Sequence, residues 1–301
     1  MVTSIRHAVL DDLSMIAALA AAAQADPNRS CAYLGDDAGS IAADVSDVVG
    51  LDGGDWTTAT WVAIDEHGLL QAWVLAETDP AMGRVWWWGP ILTDTSAEQF
   101  VELSNLVYET AVAAVSDFGE HELALDERSV SLVSFAERHG FAPDAASAVL
   151  TTAPFGETTS SPDPDIIAID ERHHPSVISL HDQLFPGSHT TGARIVEVDD
   201  DHIRLVIQDA DGDGVAGYVA AEQQHDGSLY LDYLGVAADR RCEGLGRRLV
   251  AEVMRLGAVA GATHAHLTVR TMNVAARQLY RSLGFVEERV LVPYRLGFTL
   301  D

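Results

Sequence analysis

The sequence predicts an α/β protein of two tandem units, each a mixed, mostly antiparallel sheet flanked by helices. Three observations predict it. A length of 301 residues exceeds one comfortable core and suits two of roughly 150. Two stretches, HELALDERSVSLVSFAERHGF (His121 to Phe141) and AHLTVRTMNVAARQLYRSLGF (Ala265 to Phe285), align without a gap as strand, turn, helix and Gly-Phe, the mark of a duplication. Strand-like runs joined by Asp/Gly turns precede the second copy, which places antiparallel strands before a strand-helix-strand crossover.

In the first half, alternation predicts strands at Ser4–Val9, Thr60–Asp65, Leu69–Glu77 and Arg84–Leu92, with a helix to about Ala25 and another from Ala97 to Val115 before the shared ending. The run Trp86–Trp88 is compatible with a strand on both faces and reads as core packing. Thr151–Asp165, TTAPFGETTSSPDPD, has no hydrophobic period and is rich in turn formers. It sets the expected boundaries: a first unit at 1–153, a linker at 154–165 and a second unit at 166–301. In the second unit a strand near Ile166–Ile169 and helices at Pro175–Phe185 and Thr191–Val198 lead to strands at Ile203–Gln208, Val215–Glu222 and Ser228–Val236. Leu245, Leu249, Val253, Leu256 and Ala260 form one stripe of a long helix. A strand at His264–Val269, a helix at Asn273–Leu283 and closing strands over Phe285–Leu296 follow. Gly140 and Gly284 suit a helix C′ position, and Phe141 and Phe285 the next buried site.

A formal charge of −28 argues against nucleic acid and against an anionic membrane as partners. All 18 basic residues are arginine, which removes P-loop nucleotide hydrolysis and lysine aldimine chemistry. Two cysteines, Cys31 and Cys242, are too few for a disulfide framework or a paired-thiolate zinc site, so a reducing cytoplasm and no metal are expected. The apolar stretch from Met15 to Ala23 follows Asp11 and Asp12, unlike a signal peptide, and reads as an amphipathic helix of a soluble protein.

The segment RRCEGLGRRL, residues 240–249, opposes the overall charge. It lies between a strand ending near Val236 and a helix beginning near Leu245, where backbone N–H groups and the positive helix end converge. Gly244 and Gly246 allow close approach of a ligand, and Arg241 with its neighbours adds fixed charge. The chemistry is that of a diphosphate site. A dinucleotide fingerprint requires glycine where Leu249 stands.

With Arg241, Gly244 and Gly246 the segment resembles the R/Q-x-x-G-x-G/A loop of the GNAT superfamily of N-acyltransferases. The flanks share the resemblance over about 166–296: LYLDYLGVAADRR upstream is similar to the family's fourth strand, TVRTMNVAARQLYRSLGF downstream to its ending. The resemblance implies two tandem GNAT-like domains and acetyl-coenzyme A as co-substrate, held by Leu234, Gly235 and Val236 of a splayed strand, by Arg241, Cys242, Gly244, Leu245, Gly246 and Arg247 of the loop, and by Asn273. It implies acetyl transfer to a primary amine of a small molecule or peptide by direct attack in a ternary complex. Tyr280 matches the family's general acid. Asp232 stands where many relatives carry a glutamate that takes the amine's proton, although an alternating strand also places solvated residues there. The Leu234 or Val236 N–H would polarise the carbonyl. A non-catalytic protein that binds acyl-coenzyme A as a signal, or a scaffold, is the alternative.

The gapless alignment puts Ala136 opposite Tyr280 and Ser129 opposite Asn273, and DTSAEQFVEL, where the loop belongs, has neither glycine nor arginine. The first unit is therefore expected to be a degenerate, non-catalytic copy that walls the acceptor cleft, extends the second unit's sheet or forms a homodimer interface. This pairing of an active and an inactive half is similar to that of the mycothiol synthases. Other patterns carry less. DADGDG, Asp209 to Gly214, lacks the closing glutamate of a calcium loop and reads as a hairpin turn. His264 and His266 lack a third ligand and read as structural. His173, His174, His181 and His189 surround the helices that line the acceptor site in the family.

Overall fold

A computed structural model describes residues 2–93, 96–156, 161–188, 190–197, 202–209 and 214–297. The DADGDG turn and His189 lie outside them, wholly or in their central residues. From the N-terminus run β1 (Val2–His7), α1 (Leu13–Gln24), α2 (Ala38–Asp47), β2 (Thr60–Asp65), β3 (Leu70–Asp79), β4 (Arg84–Leu92), α3 (Ala97–Val112), β5 (Glu120–Asp126), α4 (Val130–Arg138), β6 (Ala142–Pro143) and β7 (Ser147–Thr151). Then come β8 (Ile166–Ala168), α5 (His174–Leu184), α6 (Gly192–Ile195), β9 (His202–Gln208), β10 (Val215–Gln223), β11 (Leu229–Val236), α7 (Leu245–Val259), β12 (Ala265–Arg270), α8 (Val274–Ser282) and β13 (Val286–Leu296). The fold class is the expected mixed α/β one, mostly antiparallel with flanking helices.

The chain forms two compact units, Met1–Ser147 with the segment from Arg289 onward, and Ala148–Glu288. The parting is therefore not at 154–165. Its cause is strand pairing: β13, last in the chain, pairs with β5 from Leu291↔Asp126 to Leu296↔His121, while β7 lies beside β12. Nor is 154–165 a free linker at its ends. Phe155 N–H donates to Thr263 C=O at 2.7 Å. Asp163 and Asp165 both hold the Arg248 guanidinium, at 2.7 and 2.6 Å.

Unit 1 orders its strands β1-β2-β3-β4-β5-β13, and unit 2 repeats the plan as β8-β9-β10-β11-β12-β7. One parallel pair sits at the same place in each, β4 with β5 and β11 with β12. The registers coincide as well: Trp86 faces Glu77 and Glu122 as Tyr230 faces Glu222 and His266. Each sheet is packed on both faces. In unit 1, α3 and α4 cover Val85, Trp87 and Leu123, and α1 and α2 cover Val62, Trp73 and Ile91. In unit 2 the long α7 buries Leu245, Leu249, Val250 and Val253 on β10 and β11, with α5 and α6 on the other face. The α7 stripe ends at Gly257, where a Cβ would meet Leu229 at 2.6 Å, and the expected Ala260 is exposed.

Candidate active site

The site grows from the place where β11 leaves its neighbour. Parallel pairing with β12 stops at Leu231↔Leu267, whereas β11 continues antiparallel to β10 as far as Val236↔Gly217. The register jumps from Leu231↔Ala221 to Tyr233↔Ala220, so Asp232 is the extra residue of a β-bulge. Bulges twist a strand and re-aim side chains. From here the backbone of Leu234, Gly235 and Val236 is freed along the edge that β12 gave up, and the side chains of Leu234 and Val236 lie over the cluster that contains Leu245 and Tyr280.

The arginine loop adjoins that edge. Cys242 (φ 65°) and Gly244 (φ 82°) both take the left-handed conformation, which glycine adopts without cost and cysteine rarely does. Gly244 is the N-cap of α7 and no side chain caps it, so the first amides of the helix keep their hydrogen-bonding capacity and the positive helix end is open. At Gly246 a Cβ would fall between Leu279, Leu234 and Val236 at 3.4 to 3.7 Å, so the absent side chain keeps the corner between loop, freed strand and α8 clear. The arginines divide. Arg240 is engaged by Asp209 at 2.7 Å and Glu243 at 3.0 Å, and Arg248 by Asp163 and Asp165. Among the described residues Arg241, exposed, donates only to the Val236 carbonyl at 3.4 Å, and Arg247 donates to Ser282 at 2.6 Å. Among the described residues neither has a carboxylate partner, which leaves their charge for an outside anion.

Tyr280 is buried in α8 with its ring edge-on to Phe285 at 5.7 Å. Burial pushes its phenol up to about 12, so it is a proton donor throughout the physiological range. Asn273 is the N-cap of the same helix, and its Oδ1 accepts the Ala276 N–H at 3.1 Å. Its carbonyl oxygen thus helps to hold the start of α8, while its amide nitrogen is a donor that this cap does not use.

Asp232 has the chemistry of a base tuned to neutral pH. Burial, then the charge of Glu222, push its carboxyl up to about 7 against the opposing pull of Arg204. Glu222 and Arg204 escape a sequence reading because strand register brings them near Asp232; the hairpin closed by Asp226 and Gly227 is the one local signal for it. Tyr230 and Tyr233 flank the bulge, and burial raises both phenols. Of the histidines, His181 is fully buried, bonded at Nδ1 to the Tyr218 hydroxyl (2.7 Å) and donating from Nε2 to the Thr190 carbonyl (2.8 Å). With Tyr233, whose hydroxyl bonds Ser188 and Thr190, it fastens the chain after α5 beside the bulge. His173 is buried on Gln208 and Asp170, and His264 and His266 lie 6.1 Å apart with His266 against Tyr230.

Residues 174–285 match the model of the acetyltransferase (GNAT) family. The aminoglycoside N(6')-acetyltransferases type 1 of Salmonella enteritidis and Salmonella typhimurium are each 26% identical over 143 residues, 44% of this chain and 97% of theirs. A GCN5-related N-acetyltransferase from Sphaerobacter thermophilus superposes with a TM-score of 0.75 at 18% identity over 98% of both chains. A tandem GNAT protein from the clavulanic acid biosynthesis pathway does so at 0.66 and 13% identity, over 99% of this chain and 100% of its own. These two likenesses bear on the fold. No helix among the described residues is long and apolar enough to cross a membrane.

Proposed function

We propose that the chain, whose residues 174–285 match the acetyltransferase (GNAT) family model, is a member of that family and moves an acetyl group from acetyl-coenzyme A to a primary amine of a small molecule or peptide, within unit 2. The observation that carries this is the meeting, at Gly246, of the uncapped α7 start with the β11 edge freed after Leu231. Arg241, Arg247 and the N–H groups from Cys242 to Arg247 would hold the diphosphate, and the backbone of Leu234, Gly235 and Val236 would pair with the pantetheine amides like an added strand. The coenzyme supplies the acyl group as a thioester.

The chain's own residues do the rest. Asp232, half-ionised near pH 7, takes a proton from the ammonium form of the acceptor and leaves a neutral amine as nucleophile. The Leu234 or Val236 N–H, fixed on the sheet, stabilises the developing oxyanion. Tyr280 gives its proton to the departing thiolate. The pair Asp232 and Glu222 favours a cationic acceptor, in line with the small-molecule amines that the Salmonella relatives' names indicate for those proteins.

Thermal melting with and without acetyl-coenzyme A tests the reading. Ligand at about a hundred times its Kd raises stability by about 2.7 kcal/mol, a shift of several degrees. The shift is expected in the native chain and absent in Gly246→Glu, whose carboxylate enters the corner beside the loop. Thiol release with a panel of amines then follows turnover. Binding without release for any amine would favour the regulatory alternative, and no binding would overturn both.

A further inference from the structure

Unit 1 parts its strands as unit 2 does: β4 pairs with β5 only from Arg84↔Glu120 to Trp86↔Glu122 and then leaves it. Here the chain itself enters the gap. After α1, Cys31 forms an antiparallel bridge with Leu125, and Ala32 N–H donates to Ala124 C=O at 3.2 Å. The other edge of β5 is taken by β13, where Val292 faces Leu125, so the bridge lies on the edge that β4 vacated. On the β4 side, the Arg29 guanidinium donates to the Leu92 carbonyl and the Cys31 sulfur meets the Gly89 N–H. Tyr33 stacks on Trp88, ring centroids 6.5 Å apart, and donates to Glu122 at 3.1 Å.

The segment is anchored from behind as well. The Gln24 side chain accepts from Cys31 N–H at 2.7 Å and donates to the Cys31 and Leu34 carbonyls at 3.0 and 2.8 Å. Ser129, which stands where unit 2 has Asn273, donates to the Asn28 carbonyl at 2.6 Å. Ser30, Cys31 and Leu34 are buried. A segment tied to both parted strands, to the preceding helix and to the cap of α4 has no free end to swing.

We propose that Asn28–Tyr33 is a fixed internal strand filling the cleft of unit 1, so that this unit is closed to acyl thioesters by its own chain. The comparison of place rests on the role proposed above for the freed edge of β11. Two further features agree: Pro90, at the register position of Leu234, has no N–H to offer a carbonyl, and the start of α3 is closed by its own Ser96 and Gln99.

The chain's two cysteines provide the test, because Cys242 is exposed and Cys31 is buried inside the segment. Aromatic-disulfide labelling of the folded full-length protein should modify Cys242 quickly, and in Cys242→Ser the remaining Cys31 should react at least about a hundredfold more slowly. In Gly246→Glu combined with Cys242→Ser, acetyl-coenzyme A at millimolar concentration should neither bind by calorimetry nor change the Cys31 rate. Cys31 reacting as fast as Cys242, acetyl-coenzyme A speeding its reaction, or two molecules bound per native chain would each overturn the proposal. A native chain that binds none, with Cys31 still protected, would leave the filled cleft standing and remove the reading of unit 2.

Discussion

At α3 the helix begins with Ser96, whose hydroxyl accepts the Gln99 N–H while the Gln99 side chain accepts the Ser96 N–H, both at 3.3 Å. At α7, its counterpart in the repeated plan, the helix begins at Gly244 with no side-chain cap and with Arg241 and Arg247 close by. The contrast recurs along the cleft. Where unit 2 presents Asp232, unit 1 has Trp88, bonded to Glu77 at 3.0 Å. Where unit 2 has Tyr280, unit 1 has Ala136, fully buried. Where unit 2 frees a strand edge, unit 1 occupies it with Cys31 and Ala32. The shared features are those of packing: the register of the parallel pair, Gly140 and Gly284 at φ 80° and 92°, and the buried rings of Phe141 and Phe285. Duplication thus kept what closes a core, and in one copy the polar groups of the cleft satisfy each other.

The sharpest way to break this comparison is Tyr280→Phe. Loss of a general acid costs about 10² to 10⁴ in rate, and the ring that packs on Phe285 is retained, so acetyl-coenzyme A binding by calorimetry should be unchanged while thiol release falls by that factor. An unchanged rate would mean that the difference between Tyr280 and Ala136 belongs to packing alone.

Asp232 follows in size. With its carboxyl near 7, kcat/KM should rise with pH through about 7 to a plateau, and Asp232→Asn should remove that limb with a loss of about 10². Glu222→Gln should shift the limb to lower pH, because the charge of Glu222 is one cause of the elevation. Stability should move the opposite way. A carboxyl raised on folding is held more tightly as the acid, so native stability declines as pH climbs from about 4, the unfolded value, to about 7. Asp232→Asn should therefore melt higher than the native chain above pH 7 and match it below pH 4. A limb that stays in place in Asp232→Asn would assign the base elsewhere.

Much of this was legible in the residues themselves. The gapless match of His121–Phe141 with Ala265–Phe285 corresponds to strand and helix pairs of like position, and apolar runs bounded by turn formers marked the central strands, which are buried over continuous stretches because helices cover both faces. Three parts were hidden, for one reason: they depend on partners far away in sequence. The exchange of β7 and β13 is decided by which sheet edge each end strand meets. The tuning of Asp232 comes first from burial and then from Glu222 and Arg204, brought close by register and a bulge. The filling of the unit 1 cleft rests on Asn28–Tyr33, a stretch with no period to read. Asn273 shows the converse: its place before α8 was legible, and its work as an N-cap is what Asn does at that position in most helices.

The smallest expected effect probes the two helix starts. Ser96→Ala removes the side-chain acceptor from the α3 box and should cost about 1 kcal/mol, read as a lower urea midpoint with an unchanged slope. Since α3 lies in unit 1 and its closed start is assigned no ligand, acetyl-coenzyme A affinity and turnover should stay as in the native chain. The comparison would break if either fell in step with stability, because the capping hydroxyl would then be serving the reaction as well as the helix. A gain in acetyl-coenzyme A stoichiometry would break it from the other side, by making the Ser96 cap, rather than the segment from Asn28 to Tyr33, the barrier that keeps unit 1 closed.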